Sequence, residues 1–145
     1  MLEGQTDEAR SYMTSIEIVR KDLEERLDRS VLVGAWIEGR LAGIVNYVDG
    51  PRDPYAEFSG EDEAGVRGLA VGIDWQRRGV GRSLVVYCIE RASAEAKSRL
   101  VLHTTPWMHT AQRLYPRLGF RRAPEIDFSP APGVPLIGFT LDLGA

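Results

Sequence analysis

The sequence predicts an α/β domain built on a mixed, mostly antiparallel sheet with one parallel crossover. Three observations carry this reading. Residues 31–37 and 41–48 are two strand-like runs flanking Glu38-Gly39-Arg40, a tight turn of hairpin type. Residues 65–71 and 99–104 are two more apolar runs, and the stretch between them holds a helix at Val80 to Lys97, so strand, helix and strand form a parallel crossover. The full order of helix, hairpin, strand, helix, strand, helix and strands leaves the other connections antiparallel. At 145 residues the chain suits one domain, residues 1–145. A domain of this size buries roughly 68–70% of its unfolded surface and needs no disulfide staple.

Each element has a local reason. Over residues 7–28, Tyr12, Ile16, Val19, Leu23 and Leu27 recur at helical spacing and form one apolar stripe, which predicts a helix or a helix pair, with Thr6 or Asp7 as cap. Pro51 and Pro54 open a polar loop that reaches Glu63. In the helix from Val80 to Lys97, the residues Leu84, Val85, Cys88, Ile89 and Ala92 mark the buried face. A second helix is expected from Trp107 to Leu118, ended by Gly119 as a left-handed cap. The tail reads as a short strand at Phe120–Ala123, a Pro-rich loop from Pro124 to Pro135 and a last strand at Leu136–Leu143.

Composition narrows the function classes. The net charge is -3, which argues against a general nucleic-acid binder, since phosphate contacts need a basic excess. No apolar run approaches the ~20 residues of a membrane span. The start, Met1-Leu2-Glu3-Gly4-Gln5, is polar and does not read as a signal peptide, so a cytoplasmic setting is the default expectation. The one cysteine, Cys88, lies on an apolar helical face and reads as a buried small hydrophobe rather than a nucleophile.

The chemistry is expected where the crossover helix begins. Residues 76–81 read Gln-Arg-Arg-Gly-Val-Gly, between a strand ending at Val71 and a helix starting near Val80. Such a turn aims unpaired backbone N–H groups, and the positive end of the helix dipole, at whatever lies before the helix. A phosphate is favoured there. Glycines allow close approach, and Arg77, Arg78 and Arg82 add full charges. The pattern is neither G-x-G-x-x-G nor a P-loop, so dinucleotide and nucleoside-triphosphate readings lose support. The hexapeptide alone also fits a Gly-rich helix start with solvated arginines.

A second segment makes the pattern specific. Residues 114–120 read Leu-Tyr-Pro-Arg-Leu-Gly-Phe, on the helix after the next strand. Together with Gln76-x-x-Gly79-x-Gly81, and with Leu69-Ala70-Val71 upstream, this resembles the GNAT superfamily of N-acetyltransferases over roughly residues 31–143. The resemblance implies a GNAT-type sheet whose central parallel strands splay apart, flanked by helices. It implies acetyl-CoA as cosubstrate, lying in the V-shaped gap. The backbone of Leu69, Ala70 and Val71 would receive the pantetheine arm, and residues Gln76, Arg77, Arg78, Gly79, Val80, Gly81 and Arg82 the pyrophosphate. Members usually begin with a strand, which the first ten residues here do not resemble. That strand is therefore expected to be missing, supplied by another chain or lost with the gene start, and a bare sheet edge would favour a homodimer.

The resemblance also supplies catalytic candidates. Tyr115 aligns with the tyrosine that many members use as general acid; the alternative is that it only packs or anchors the CoA sulfur without transferring a proton. A phenol with an ordinary pKa of about 10 is protonated at neutral pH and can donate. His103, twelve residues before Tyr115, is the candidate base, directly or through water; the alternative is a histidine hydrogen-bonded inside the sheet. His109 reads as a solvated helix residue. Pro116 lacks an N–H and is expected to disturb the helix beside Tyr115. Members often carry an asparagine seven residues before the tyrosine, where this chain has Met108. Core packing is the favoured reading for Met108, and a wall against the cofactor or acceptor, with Trp107, is the other.

The expected function is therefore transfer of an acetyl group from acetyl-CoA to a primary amine of a small molecule or peptide, by direct transfer with no acyl-enzyme on Cys88. The alternative is a CoA-binding regulatory or interaction module without turnover. The segment from Asp49 to Glu63, rich in Asp and Glu and with Tyr55 and Phe58, either draws a cationic acceptor or is a solvated loop. No metal site is expected.

Overall fold

Glu38 and Gly39 both have positive φ, 51° and 79°, which is the twist that a two-residue hairpin turn demands. That turn joins two long strands and starts the sheet. The computed structural model describes residues 16–23, 27–50 and 62–144. Among them the strands are β1 (Ile16–Leu23), β2 (Leu27–Ile37), β3 (Arg40–Val48), β4 (Glu63–Val71), β5 (Arg99–Thr104), β6 (Arg121–Arg122), β7 (Phe128–Ala131) and β8 (Val134–Asp142). The helices are α1 (Val80–Ala94) and α2 (His109–Arg117), with short 3-10 turns at Ile73–Trp75 and Pro124–Ile126. The strands run in the order β1-β2-β3-β4-β5-β8-β6, with β7 paired to β8. Among the described residues only β4 and β5 pair in parallel; the other ladders are antiparallel.

The helix expected over residues 7–28 is not what residues 16–23 form. They pair antiparallel with β2, from Ile16 opposite Ile37 to Leu23 opposite Leu27. The apolar stripe hid a second pattern. Ile16, Ile18 and Val19 are β-branched and cluster at the start of this strand, and such residues lose side-chain freedom in a helix but fit a pleated sheet. A neighbouring strand settled the ambiguity. The edge of β2, expected to be bare, is therefore covered by β1, and the argument for a second copy pairing there loses its premise. Residues 7–15 and 24–26 of the expected helix lie outside the described residues.

One face of the sheet carries the core. Val31, Val33, Ala35 and Ile37 of β2 alternate onto it with Val45 and Tyr47 of β3, Ala64 and Val66 of β4, and Leu100 and Leu102 of β5. Leu84, Val85, Cys88 and Ala92 of α1 pack against them, all fully buried. Helix α2 closes the same face with Tyr115, beside Phe139 of β8. Close approach of α1 requires Gly43. A Cβ there would stand 2.9 Å from Val80 Cγ1 and 3.1 Å from Leu84 Cδ1.

The last part of the chain departs from the expected loop. Residues 124–135 contain a 3-10 turn and the strand β7, whose Phe128 pairs with Leu136 of β8. Four prolines in this stretch had argued against a strand, but β7 pairs on one side only, where missing N–H groups are tolerated.

Candidate active site

The site begins where two parallel strands part. Strand β4 pairs with β5 from Glu63–Arg99 to Val66–Leu102 and no further, although β4 runs on to Val71 and β5 to Thr104. The cause is a bulge on β4. Against β3, Asn46 lies opposite Arg67 but Ile44 lies opposite Ala70, so β4 carries one extra residue there. Gly68 sits in the bulge at φ +68°, a conformation that glycine adopts without penalty. The bulge bends β4 away from β5 and opens the expected gap.

Beyond the bulge β4 offers backbone groups to that gap. Gly72 N–H donates to Ala42 O at 2.8 Å, so the backbone of Gly72, and of Ala70 two residues before, faces β3. Backbone direction alternates along a strand, so Leu69 and Val71 face the other way, into the gap. Val71 O there accepts from Gln76 Nε2 at 3.2 Å, which ties the following loop to the strand end. Of the three residues expected on the pantetheine strand, Leu69 and Val71 thus face the gap, and the Ala70 backbone is turned to Ile44 of β3.

The loop leads into α1 through Arg77 at φ +66° and Gly79 at φ +83°. The first helical hydrogen bond is Ser83 N–H to Gly79 O, 2.9 Å, so the amides of Val80, Gly81 and Arg82 precede it. No side chain caps this end. Gly81 faces Val71 Cγ2 and Leu114 Cδ2, which a Cβ would meet at 3.6 and 4.0 Å. The start of α1 thus stands between the end of β4 and helix α2. Arg77 and Arg82 are exposed, and the Arg78 guanidinium lies 5.6 Å from the centre of the Trp75 ring. Unpaired amides, a helix dipole and three arginines fit a pyrophosphate.

Tyr115 is set by the end of α2. Phe120 N–H donates to Tyr115 O and Gly119 N–H to Pro116 O, both at 3.0 Å, with Gly119 at φ +101°. This is a Schellman ending. Pro116 occupies its last turn, and the helix runs through it to Arg117. The Tyr115 side chain is only 4% exposed, against the Phe120 and Phe139 rings. Burial pushes its phenol up to about 12.

His103 lies on the opposite face. In the β5–β8 ladder Leu102 faces Phe139 and His103 faces Gly138, so the two pairs alternate across the sheet. Its Nε2 is 2.8 Å from Ile126 O, and its ring stands edge-on to Phe128 at 5.1 Å between centres. A carbonyl only accepts, so Nε2 carries the hydrogen. The structure therefore brings Tyr115 and the cradle to one face and His103 to the other.

The remaining candidates are placed plainly. Met108 is 47% exposed and Trp107 58%, so the core-packing reading of Met108 fails. Both precede α2, which only starts at His109. His109 is exposed, as expected. Cys88 is 0% exposed and burial raises its thiol to about 12, so it holds no thiolate near neutral pH. Residues 51–61 of the acidic loop, with Tyr55 and Phe58, lie outside the described residues. At its ends, Asp49 pairs with Lys97 at 3.2 Å, Asp62 accepts from Ser98 Oγ at 2.6 Å, and Glu63 pairs with Arg99 at 3.3 Å. Among the described residues no group of three or more His, Cys, Asp or Glu is placed to hold a metal, and no helix is long and apolar enough to cross a membrane.

Sequence reading missed Arg122, Ile126 and Asp127. Arg122 grips Asp127 with two hydrogen bonds of 2.6 and 2.7 Å. These residues fell in a tail with no periodic pattern, and only Gly138 inside a strand hinted that a backbone approaches there.

Comparison with known proteins agrees with this geometry. The model of the acetyltransferase (GNAT) family matches residues 3–120. An N-acetyltransferase family 8 member 3 from Rattus norvegicus is 26% identical over 91 residues, which are 63% of this chain and 38% of that protein. The chain thus spans well under half the length of that curated relative. A GNAT family acetyltransferase from Elizabethkingia anophelis, solved with acetyl-CoA bound, superposes with a TM-score of 0.66 at 16% identity, over 88% of this chain and 98% of that one. The ribosomal-protein-S18-alanine N-acetyltransferase from Escherichia coli superposes with a TM-score of 0.64 at 19% identity, over 97% and 91%. At such identities these structures speak for the fold alone. The fold follows from the likenesses of structure, and the match over residues 3–120 settles the family: the chain belongs to the acetyltransferase (GNAT) family.

Proposed function

We propose that the chain transfers an acetyl group from acetyl-CoA to a primary amine of a small molecule or peptide, working in the cytoplasm. The observation that carries this reading is the parting of β4 and β5 after Val66–Leu102, with the unpaired amides of Val80, Gly81 and Arg82 at its mouth. Leu69 and Val71 hold the pantetheine arm, and Val80, Gly81, Arg82 and the neighbouring Arg77, Arg78 and Gln76 hold or shape the pyrophosphate site.

When bound, acetyl-CoA supplies a thioester whose acyl carbon takes the amine while its sulfur leaves. Tyr115 donates to that sulfur. Its phenol, raised to about 12, stays protonated at neutral pH. A thiol near pKa 8.5 is the stronger acid, so the phenol acts as a hydrogen-bond donor to the developing thiolate more than as a full proton source. His103 takes the proton that the amine sheds. Its Nε2–H is given to Ile126 O at 2.8 Å, which holds the ring in place on β5. Buried Cys88 supports direct transfer. Met108 and Trp107, exposed before α2, are proposed as walls of the cofactor or acceptor channel.

Titration calorimetry with acetyl-CoA tests the cradle. Micromolar binding by the wild type, weakened about tenfold in Arg82→Glu, supports the reading. No binding by the wild type would remove it.

A further inference from the structure

Asn46 stands on β3 level with the place where β4 leaves β5. Val45 and Tyr47, its neighbours in the chain, point into the core, so Asn46 points to the other face of the sheet. Leu32 of β2 and Arg67 of β4 are its register partners, and Ile44 and Val48 share its face along β3. Arg67 is the first β4 residue past the last β4–β5 pair, Val66 with Leu102, and Gly68 of the bulge is the second. The Asn46 carboxamide leans over that glycine: a Cβ on Gly68 would stand 3.2 Å from Asn46 Nδ2. Asn46 Oδ1 is buried and, among the described residues, has no hydrogen-bond partner. A buried oxygen left unpaired lowers stability, and the side chains of Leu32, Ile44 and Val48 give it no donor. The fold thus carries a destabilising group beside the gap.

We propose that Asn46 receives the acceptor: its carboxamide oxygen takes an N–H of the primary amine at the bulge of β4. The inference rests on the acetyl transfer proposed above and names a binding group for its second substrate. Gly68 is exposed, so an amine can reach the end of the carboxamide that lies over it. A half-turn about the last side-chain bond exchanges oxygen and nitrogen in nearly the same volume, and the oxygen has no partner to leave. The position is on the face away from Tyr115 and the start of α1, the groups assigned to the cofactor. A neutral oxygen also suits the chemistry. It binds the ammonium that arrives and the free amine that reacts, whereas a carboxylate would hold the proton on the nitrogen and keep its lone pair from the thioester.

Steady-state kinetics and urea unfolding of the full chain test this. The wild type is first run with acetyl-CoA against amino sugars, polyamines, amino acids and short peptides, and the variants with the amine it turns over. Asn46→Leu nearly keeps the volume and removes the acceptor oxygen. The KM for the amine should rise about 10- to 100-fold, with the KM for acetyl-CoA within about twofold, while the urea midpoint rises because an unpaired oxygen is gone. Asn46→Asp keeps an oxygen and adds a charge. The acidic limb of its kcat profile should move up by about one pH unit, because the ammonium form is held. The proposal is overturned if the amine KM of Asn46→Leu stays within about twofold of wild type, if its urea midpoint falls, or if the Asn46→Asp profile lies on that of the wild type. It falls together with the transferase reading if the wild type acetylates none of these amines, an outcome visible before any variant is made.

Discussion

The rings of Tyr115 and Phe120 stand 5.7 Å apart because one helix ending binds them together, through Phe120 N–H on Tyr115 O. In a Schellman ending the residue after the left-handed glycine returns to the helix and touches the residue whose carbonyl it meets. The spacing Tyr-x-x-Leu-Gly-Phe is thus a device that fixes the tyrosine. Gly119, at φ +101° and with Leu141 Cδ1 3.2 Å from where its Cβ would be, is the hinge of that device. Gly119→Ala should cost about 1–2 kcal/mol, seen as a lower urea midpoint with an unchanged slope. An unchanged midpoint would contradict the role given to this turn.

Tyr115→Phe keeps the ring and removes the donor. We expect kcat to fall about 100-fold while acetyl-CoA affinity stays within twofold, by stopped-flow and calorimetry. With the phenol raised to about 12, the wild type should show no loss of activity from this group between pH 7 and 10. Equal activity of the two proteins would reduce Tyr115 to packing.

The alkaline limit of stability follows from the same burial. Cys88 is raised from 9.0 to about 12, Tyr115 from 10.0 to about 12, and Tyr47 is raised further, by burial first and by its bond to Glu95. These groups are neutral when protonated, and the folded state holds their protons more tightly than the unfolded chain. Their contribution is complete below pH 9 and is lost as pH rises from 9 through about 12. Circular dichroism should show the melting temperature flat from pH 7 to 9 and falling steeply above. A flat profile to pH 11 would contradict the burial of these groups.

Gly81 separates binding from folding. A Cβ there meets only ordinary contacts, and alanine suits the first turn of a helix, so Gly81→Ala should fold with a stability within about 0.5 kcal/mol of wild type. Its methyl group enters the mouth of the gap, and acetyl-CoA should bind about tenfold more weakly by calorimetry. Unchanged affinity would move the pyrophosphate away from this amide.

Much of this was legible in the residues. The hairpin at Glu38-Gly39, the crossover helix and the ending at Gly119 each depend on local patterns, and local patterns survive folding; the gap beside Leu69-Ala70-Val71 was expected only from the family resemblance. Residues 16–23 were misread because Ile16, Val19 and Leu23 satisfy helical spacing, while pairing with β2, which begins at Leu27, decides the outcome. Met108 was misread because an apolar residue near a helix start was assigned to the core, and the helix begins one residue later than that needs. The contact of Asp127 with Arg122 and with the Gly138 N–H was invisible for a different reason. It joins residues by a backbone approach between loop and strand, and neither composition nor period records that.

The central claim is acetyl transfer at the gap between β4 and β5. Its most direct test is the release of CoA thiol from acetyl-CoA, with and without a panel of amino sugars, polyamines, amino acids and short peptides, matched by mass spectrometry of the acetylated amine. The account predicts thiol release that depends on one class of amine, with a product heavier by one acetyl group. Tight acetyl-CoA binding with no acetylated product from any class would contradict it and leave a CoA-binding module without turnover.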